Sequence, residues 1–154
     1  VYIRLLRKDF APIFKEGTEF DLGKAIRVRE GKDVSIFATG IMVKEALDAA
    51  EILASEGIEA SVVNFHTIKP IDEDMICEEA SKTGAIVTAE NHNIINGLGS
   101  AVAEVLSEHC PTPLRRVGTR DHFGEVGKLD FLMEKFGLKA KNIVESVKEV
   151  LKQK

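Results

Sequence analysis

The segment Val34-Ser35-Ile36-Phe37-Ala38-Thr39-Gly40 is an apolar run of strand length that ends at a threonine and a glycine. Directly after it, apolar residues from Ile41 to Ser55 recur at helical spacing, and Gly57 follows as a helix stop. A nearly continuous apolar strand is typical of a sheet covered on both faces, and parallel strands need a helical crossover between them. The segment therefore predicts the first strand and helix of a βαβ unit.

The same alternation of apolar strands and amphipathic helices continues to the end of the chain. The predicted elements are strands over 59–65, 85–89 and 114–117 and helices over 72–84, 100–109, 129–136 and 140–151. Before them, Ala25–Arg29 alternates apolar and charged residues, which predicts a half-exposed antiparallel edge strand. The pattern predicts a three-layer α/β/α Rossmann-like domain whose mostly parallel sheet has one antiparallel edge strand.

The composition excludes several classes of protein. The chain has 154 residues, 44% hydrophobic and 30% charged, which suits one globular domain with its own core. A formal net charge of −4 is opposite to the basic surface of nucleic-acid-binding domains. No apolar run approaches the roughly 20 residues that span a bilayer. We therefore expect a cytoplasmic protein without nucleic-acid or membrane partners, and a start at Val1 rather than methionine indicates a fragment.

Cys77 and Cys110 are the two cysteines of the chain. Both lie in apolar, helix-like contexts, and they lack the CxxC spacing of zinc and redox sites. We expect two reduced, buried thiols, as in most cytosolic proteins.

A glycine motif precedes one of the predicted helices. Gly97-Leu98-Gly99 before Ser100 resembles a phosphate-binding loop, but Val102 occupies the position of the third glycine of GxGxxG. No acidic residue follows at the distance of a ribose-binding carboxylate. Close packing of a helix against a strand explains the glycines. An alternative interpretation is that the chain is a Rossmann-like regulatory module that binds a nucleotide through this motif and Thr39-Gly40.

Catalytic patterns are incomplete along the chain. There is no HExxH motif and no GxSxG nucleophile elbow. His92, in Glu90-Asn91-His92-Asn93, follows a predicted strand at its carboxyl end, where α/β proteins bind ligands, and it is a candidate binding residue. From the residues alone we expect no catalytic residue, no metal ligand and no cofactor-binding residue in this chain.

Several stretches form an ordered set along the chain. They are Arg29–Val34 with Ala38-Thr39-Gly40, Ala46–Ala54, Gly57–Ala60, Val63–Asp72, Val87–His92 with Gly97–Ala101, and Asp121–Glu125 with Lys135–Leu138. In this order they resemble the C-terminal domain of transketolases, from Gly23 to about Val150. The set is far more specific than any one of its motifs.

The resemblance implies a function for the parent enzyme. Transketolases transfer a two-carbon ketol unit between ketose and aldose phosphates in the pentose phosphate pathway, with thiamine diphosphate and Mg²⁺. The segments that bind these cofactors belong to two preceding domains, so the resemblance implies a fragment that supports a homodimer and is inactive alone. Related families are 1-deoxyxylulose-5-phosphate synthase and the beta subunits of 2-oxoacid dehydrogenases. His122-Phe123-Gly124-Glu125 followed by Gly127 favours transketolase.

The resemblance also implies domain limits and a binding residue. Residues 1–22 correspond to the tail of the preceding pyrimidine-binding domain and the interdomain linker, and residues 23–154 to the C-terminal domain. Arg7 matches an arginine that holds the substrate phosphate in that family, with Leu6 where a serine is often found. A guanidinium suits a phosphate because it donates two parallel hydrogen bonds. Arg7 and His92 are therefore the predicted substrate-binding residues.

Overall fold

A computed structural model describes residues 2–6, 10 and 12–154 of the chain. Within them the sheet has five strands, and five α-helices accompany it. The strands are β1 (Ile26–Arg29), β2 (Val34–Ala38), β3 (Ala60–Asn64), β4 (Ile86–Asn93) and β5 (Leu114–Thr119). The helices are α1 (Met42–Ser55), α2 (Glu73–Thr83), α3 (Leu98–His109), α4 (Leu129–Lys135) and α5 (Ala140–Leu151).

The sheet has the strand order β1-β3-β2-β4-β5. Strands β2 to β5 are mutually parallel, and Val34 pairs with Ala60 while Ser35 pairs with Ile86. β1 lies antiparallel to β3 at the edge, with an irregularity between Arg27 and Arg29. The predicted mostly parallel sheet with one antiparallel edge strand is confirmed.

The sheet separates two hydrophobic cores, which makes three layers. Val34, Ile36 and Ala38 of β2 face the core shared with α1 and α5, and Phe37 faces the core shared with α2 and α3. All four side chains are fully buried. Burial of each large apolar side chain contributes about 1.5–3 kcal/mol, so these alternating positions fix the strand register.

Residues at the helix ends explain where α2 begins and ends and where α5 begins. Asp72 caps α2, because its Oδ1 accepts a hydrogen bond from the Met75 amide at 3.3 Å. Gly84 ends α2 with a left-handed φ of 64°. The first turn of α5 is held from another helix, since the Ala140 amide donates to Glu45 Oε2 at 2.7 Å. These two residues agree with the limits predicted for the helix over 72–84.

β4 and α3 are both longer than the sequence predicts. β4 continues to Asn93 because Asn93 pairs with Thr119 beyond a register shift, and the Ile94 amide donates to the Thr119 carbonyl at 3.0 Å. α3 begins at Leu98, two residues before Ser100. The sequence pattern predicts a loop from Asn91 to Gly97, and this is wrong for its first three residues, which are strand.

The start of the chain differs from its sequence pattern. Val1–Leu6 alternates like a strand, yet its described part, Tyr2–Leu6, forms no strand and has no ladder partner in the described structure. Tyr2, Ile3 and Leu5 are 88%, 71% and 83% exposed. Alternation alone is insufficient because a strand needs a neighbour to accept its hydrogen bonds.

The expectation of two free thiols is wrong. Cys77 of α2 and Cys110, which follows the last residue of α3, form a disulfide with a Cα–Cα distance of 5.7 Å. The bond joins residues 33 positions apart. Spacing rules for short motifs cannot detect such a pair, because the packing of α2 against α3 brings the sulfurs together.

Candidate functional site

The carboxyl ends of β2, β3, β4 and β5 meet at one edge of the sheet, called here the carboxyl edge. The chain order reverses between β2 and β4, and open α/β sheets bind ligands in the crevice at such a point. Thr39 follows β2 on one side of this point, and its amide donates to the Ala89 carbonyl of β4 at 3.2 Å. The sequence candidates Thr39-Gly40, His92 and Gly97–Gly99 are therefore brought to one edge.

The amino end of α3 is occupied by a side chain of the protein itself. Glu90 is 1% exposed, and its two carboxylate oxygens accept hydrogen bonds from the amides of Leu98 and Gly99, each at 2.8 Å. Helix amino ends attract anions through these amides and the helix dipole. Because Glu90 already satisfies both amides, the geometry does not support the phosphate-loop alternative for Gly97-Leu98-Gly99.

The glycines around Glu90 are required by close packing. A Cβ on Gly97 would lie 1.9 Å from Glu90 Oε2, and one on Gly99 would lie 2.7 Å from Arg116 Cδ. A Cβ on Gly118 of β5 would lie 2.9 Å from the His92 carbonyl oxygen. Glycine is the residue that allows these approaches. The glycines resemble a ligand-binding loop because close packing and ligand binding both require glycine. The sequence gave no indication that the carboxylate of Glu90 is the group they pack against.

His92 lies at the exposed end of β4. Its side chain is 52% exposed, and Nδ1 is 2.8 Å from the carbonyl oxygen of Asn93. A neutral ring that donates from Nδ1 leaves Nε2 as an acceptor. Glu90 Oε2 is 3.9 Å from Nδ1, too far for a hydrogen bond. His92 can therefore contact a ligand or another protein surface, whereas Arg7 lies outside the described residues.

Two described residues near the start of the chain, Arg4 and Phe20, contact the carboxyl edge. Arg4 Nη1 donates to the Asn91 carbonyl at the end of β4 at 2.6 Å. The Phe20 ring packs edge-on against His66, just beyond β3, with 5.1 Å between ring centroids. Lys24 then reaches Asp72 at the start of α2, with its Nζ 3.4 Å from Oδ1. Arg4, Phe20 and Lys24 thus each contact the side of the domain where a ligand would bind.

Exposed apolar side chains follow β4 and β5 at this edge. Ile95 is 50% exposed, Phe123 is 98% exposed and Val126 is fully exposed. Asn93 Nδ2 donates to Asp121 Oδ1 at 3.4 Å, which holds the segment after β5 beside the end of β4. We call Ile95, Phe123 and Val126 the apolar face. Exposed apolar side chains that form a contiguous patch mark protein interaction sites, and these three residues are the candidates for one at this edge.

Glu90 and Asn93 at the carboxyl edge are hydrogen-bonded to other parts of the protein. Across residues 2–6, 10 and 12–154, no group of three or more His, Cys, Asp or Glu side chains could hold a metal ion. In the same ranges, no helix is both long and apolar enough to cross a membrane. The arrangement offers a surface for packing and the exposed imidazoles of His92 and His122.

Comparison with known proteins identifies the family. The model of the transketolase C-terminal domain matches residues 23–143. The chain is 62% identical over 154 residues to the 6-deoxy-6-sulfo-D-fructose transketolase subunit of Clostridium sp. strain MSTE9, covering all of this chain and 48% of that protein. It is 43% identical over 156 residues to a putative transketolase C-terminal section of Methanocaldococcus jannaschii, covering 99% and 48% of the two chains.

A more distant relative and a solved structure agree with this assignment. 1-Deoxy-D-xylulose-5-phosphate synthase of Heliobacterium modesticaldum is 40% identical over 139 residues, covering 88% of this chain and 21% of that protein. A solved split-gene transketolase, described as an inactive β4 tetramer, superposes with a TM-score of 0.90 at 47% identity, covering 95% and 47% of the two chains. The chain spans about half the length of the first transketolase relatives that it matches. With the fold and most of the chain matched, this protein belongs to the transketolase C-terminal domain family.

Proposed function

We propose that this chain is the C-terminal portion of a transketolase, a transferase that moves a two-carbon ketol unit between ketose and aldose phosphates. Its role is to support assembly and to line one side of the substrate site, while other portions of the enzyme carry the chemistry. The observation that carries this proposal is the filled amino end of α3, where Glu90 occupies the amides that a bound anion would need. Family membership and coverage of half of the transketolase relatives support it.

Thiamine diphosphate and Mg²⁺ belong to the proposed enzyme as a whole. When bound, thiamine diphosphate supplies the electron sink that stabilises the two-carbon carbanion. The described residues do not fit such a group, because no described acidic cluster matches a metal–diphosphate site and the α3 amides are satisfied by Glu90. We therefore assign cofactor binding to the preceding domains.

The domain limits are part of the same proposal. We assign residues 1–22 to the tail of the preceding pyrimidine-binding domain with its linker, and residues 23–154 to the C-terminal domain. The exposed and unpaired course of Tyr2–Leu6 supports this division. Arg7 and His92 are the substrate-binding residues that we propose, and we propose a cytoplasmic location for the enzyme.

The substrate has a second candidate. The relative with 62% identity is named for 6-deoxy-6-sulfo-D-fructose, a sugar with a sulfonate in place of the phosphate. Both anions suit a guanidinium partner, so the recognition chemistry does not separate them. We propose sugar phosphates of the pentose phosphate type as one substrate class and this sulfosugar as the other.

Reconstitution tests the function. We expect the purified chain to fold but to transfer no ketol unit in the presence of thiamine diphosphate and Mg²⁺. Co-expression with the reading frame that carries the preceding domains should give activity, assayed in parallel with fructose 6-phosphate and 6-deoxy-6-sulfo-D-fructose. Turnover by the chain alone, or a reconstituted complex that is inactive with both sugars, would contradict the proposal.

Assembly is proposed to use the apolar face. Phe123→Asp should weaken association with the preceding portion, or with a second copy of the chain, by about tenfold or more, because a charge replaces an exposed aromatic side chain. Sedimentation velocity of the complex measures the change. The matched control is Ile52→Asp on α1, which is 42% exposed and distant in the chain from the carboxyl edge. Equal weakening by both variants would remove the apolar face from the interface.

His92 should act through binding. His92→Ala is expected to change the free energy of unfolding by less than about 0.5 kcal/mol, because the side chain is half exposed. In the whole enzyme it should raise KM or weaken assembly more than it lowers kcat. His109→Ala, at 51% exposure on α3, is the matched control and should change neither constant. A fall in kcat by several orders of magnitude with assembly intact would make His92 a catalytic residue.

A further inference from the structure

The proposed function makes no use of the Cys77–Cys110 disulfide. Cys77 lies within α2 and Cys110 caps the end of α3, and both pack against the core under these helices. Disulfides in proteins of reducing compartments are usually transient and redox-active rather than structural. A disulfide in a chain proposed to be cytoplasmic therefore needs a route by which small thiols reach it.

The structure contains such a route on one side of the bond. An open cavity of about 320 Å³ lies between the end of α2 and the segment after α3. Its walls are formed by Ala80, Ser81, Gly84, Cys110, Pro111, Thr112 and Pro113. Cys110 lines the cavity and Cys77 does not. The Thr112 hydroxyl donates to the Cys110 carbonyl at 2.9 Å, which fixes the backbone beside the sulfur.

We propose that this disulfide is a reversible modification site for a small monothiol of the glutathione class, which attacks Cys110 from the cavity. The entering thiolate sulfur forms a bond to Cys110 Sγ as the bond between Cys110 and Cys77 breaks. The electron pair leaves on Cys77 Sγ, which takes a proton from water. Attack by a second thiol on the mixed disulfide frees Cys110 and releases the small-molecule disulfide. The reverse sequence, with oxidised glutathione, closes the bond.

Opening the disulfide removes a covalent link between α2, which contacts the edge strand β1, and α3. The disulfide ties the middle of α2 to the end of α3. α2 in turn contacts β1 through the Arg27–Glu79 ion pair, and its cap Asp72 accepts a hydrogen bond from the Ala25 amide just before β1. A reduced or glutathionylated chain loses this covalent tie. Its urea midpoint should therefore be lower than that of the oxidised chain.

Trapping after brief exposure to reduced glutathione tests the proposal. The oxidised chain is mixed with reduced glutathione, quenched with iodoacetamide and digested with trypsin, which cleaves after Lys82 and so separates the two cysteines. In singly opened molecules we expect glutathione on the Cys110 peptide and the alkyl group on the Cys77 peptide, with at least about tenfold preference over the reverse. An equal distribution or a preference for Cys77 would overturn the site of attack.

Variants test the route. Ser81→Phe should fill the cavity and slow opening by about tenfold, while Ser107→Phe, an exposed position of α3 outside the cavity, should leave the rate unchanged. Equal rates for the two variants would rule out entry through the cavity. Failure of oxidised glutathione to regenerate the Cys77–Cys110 bond in the reduced chain would overturn the reversible site altogether.

Discussion

Replacing Arg27 with methionine is expected to lower the free energy of unfolding by about 3–5 kcal/mol. Arg27 Nε donates to Glu79 Oε1 at 2.6 Å, and the Glu79 side chain is fully buried. Methionine keeps most of the aliphatic stem but leaves a buried carboxylate without its closest cation. Urea denaturation followed by circular dichroism measures the loss.

Other groups around Glu79 should keep the loss of unfolding free energy toward the lower end of the range of about 3–5 kcal/mol. Lys82 Nζ remains 3.8 Å from Glu79 Oε1, and the Ser35 hydroxyl donates to Glu79 Oε2 at 2.5 Å. The hydrogen bond to Glu78, with further contributions from Glu79, raises the pKa of Arg27 above its ordinary value. The guanidinium is therefore charged at neutral pH, as arginine ordinarily is.

A double-mutant cycle separates the ion pair from simple packing. The variant with both Arg27→Met and Glu79→Met should recover most of the stability, because paired apolar replacements avoid an uncompensated charge. In that variant the Ser35 and Thr83 hydroxyls, 3.0 Å apart, can still bond to each other. A loss in the double variant equal to the sum of the losses in Arg27→Met and Glu79→Met alone would show that the charge pairing contributes nothing.

The apolar pattern was sufficient to predict most of the fold. β2 and α5 have the predicted limits, because each has a continuous or strongly one-sided set of apolar residues that tertiary contacts only reinforce. The edge strand was predicted because charges alternate with apolar residues at Arg27 and Arg29. Its position beside β3 follows from the packing of the two strands.

Polar groups inside the protein were the part that the sequence did not reveal. Glu78 and Glu79 are adjacent acidic residues of α2, and only the position of β1 decides that Glu79 is the buried one. Glu90 likewise has the sequence appearance of a loop residue, although it is strand and nearly inaccessible to water. Burial of a charged residue depends on partners that are distant in sequence, so local patterns carry no record of it.

The place of the candidate residues in the fold could be predicted from the sequence, while the roles of Arg7 and His92 stay predictions. The carboxyl edge was expected from the order of strands and helices, and His92 lies there. The glycines before α3 were correctly attributed to close packing, but the group they approach was not identified. A side chain that fills a helix amino end is recognisable only once β4 and α3 are placed beside each other.

Glu90→Gln is expected to lower the free energy of unfolding by about 3 kcal/mol. The carboxylate makes two charge-assisted hydrogen bonds to the Leu98 and Gly99 amides, each of a class that contributes about 1.5–3 kcal/mol. An amide side chain keeps one acceptor oxygen, turns an NH₂ group toward the second N–H and loses the attraction to the helix dipole. Glu104→Gln, at an exposed position of α3, is the control and should change stability by less than about 0.5 kcal/mol. Amide hydrogen exchange should localise the change to Leu98 and Gly99, and unchanged protection there would contradict this role of Glu90.

Glu90→Ala tests whether the amino end of α3 can bind an anion when Glu90 is removed. Alanine removes the carboxylate and leaves the first amides of α3 without a partner, in the arrangement that binds anions at helix amino ends. Sulfate should therefore raise the melting temperature of Glu90→Ala by more than that of the unchanged chain, through binding to the folded state. The comparison must be made at equal sulfate concentration, because sulfate stabilises folded proteins generally by exclusion from their surfaces. If sulfate stabilises both proteins equally, the amino end of α3 is no anion site even when it is emptied. In that case the occupation of this helix end by Glu90 would no longer support the proposal that anions and cofactors bind to other parts of the enzyme.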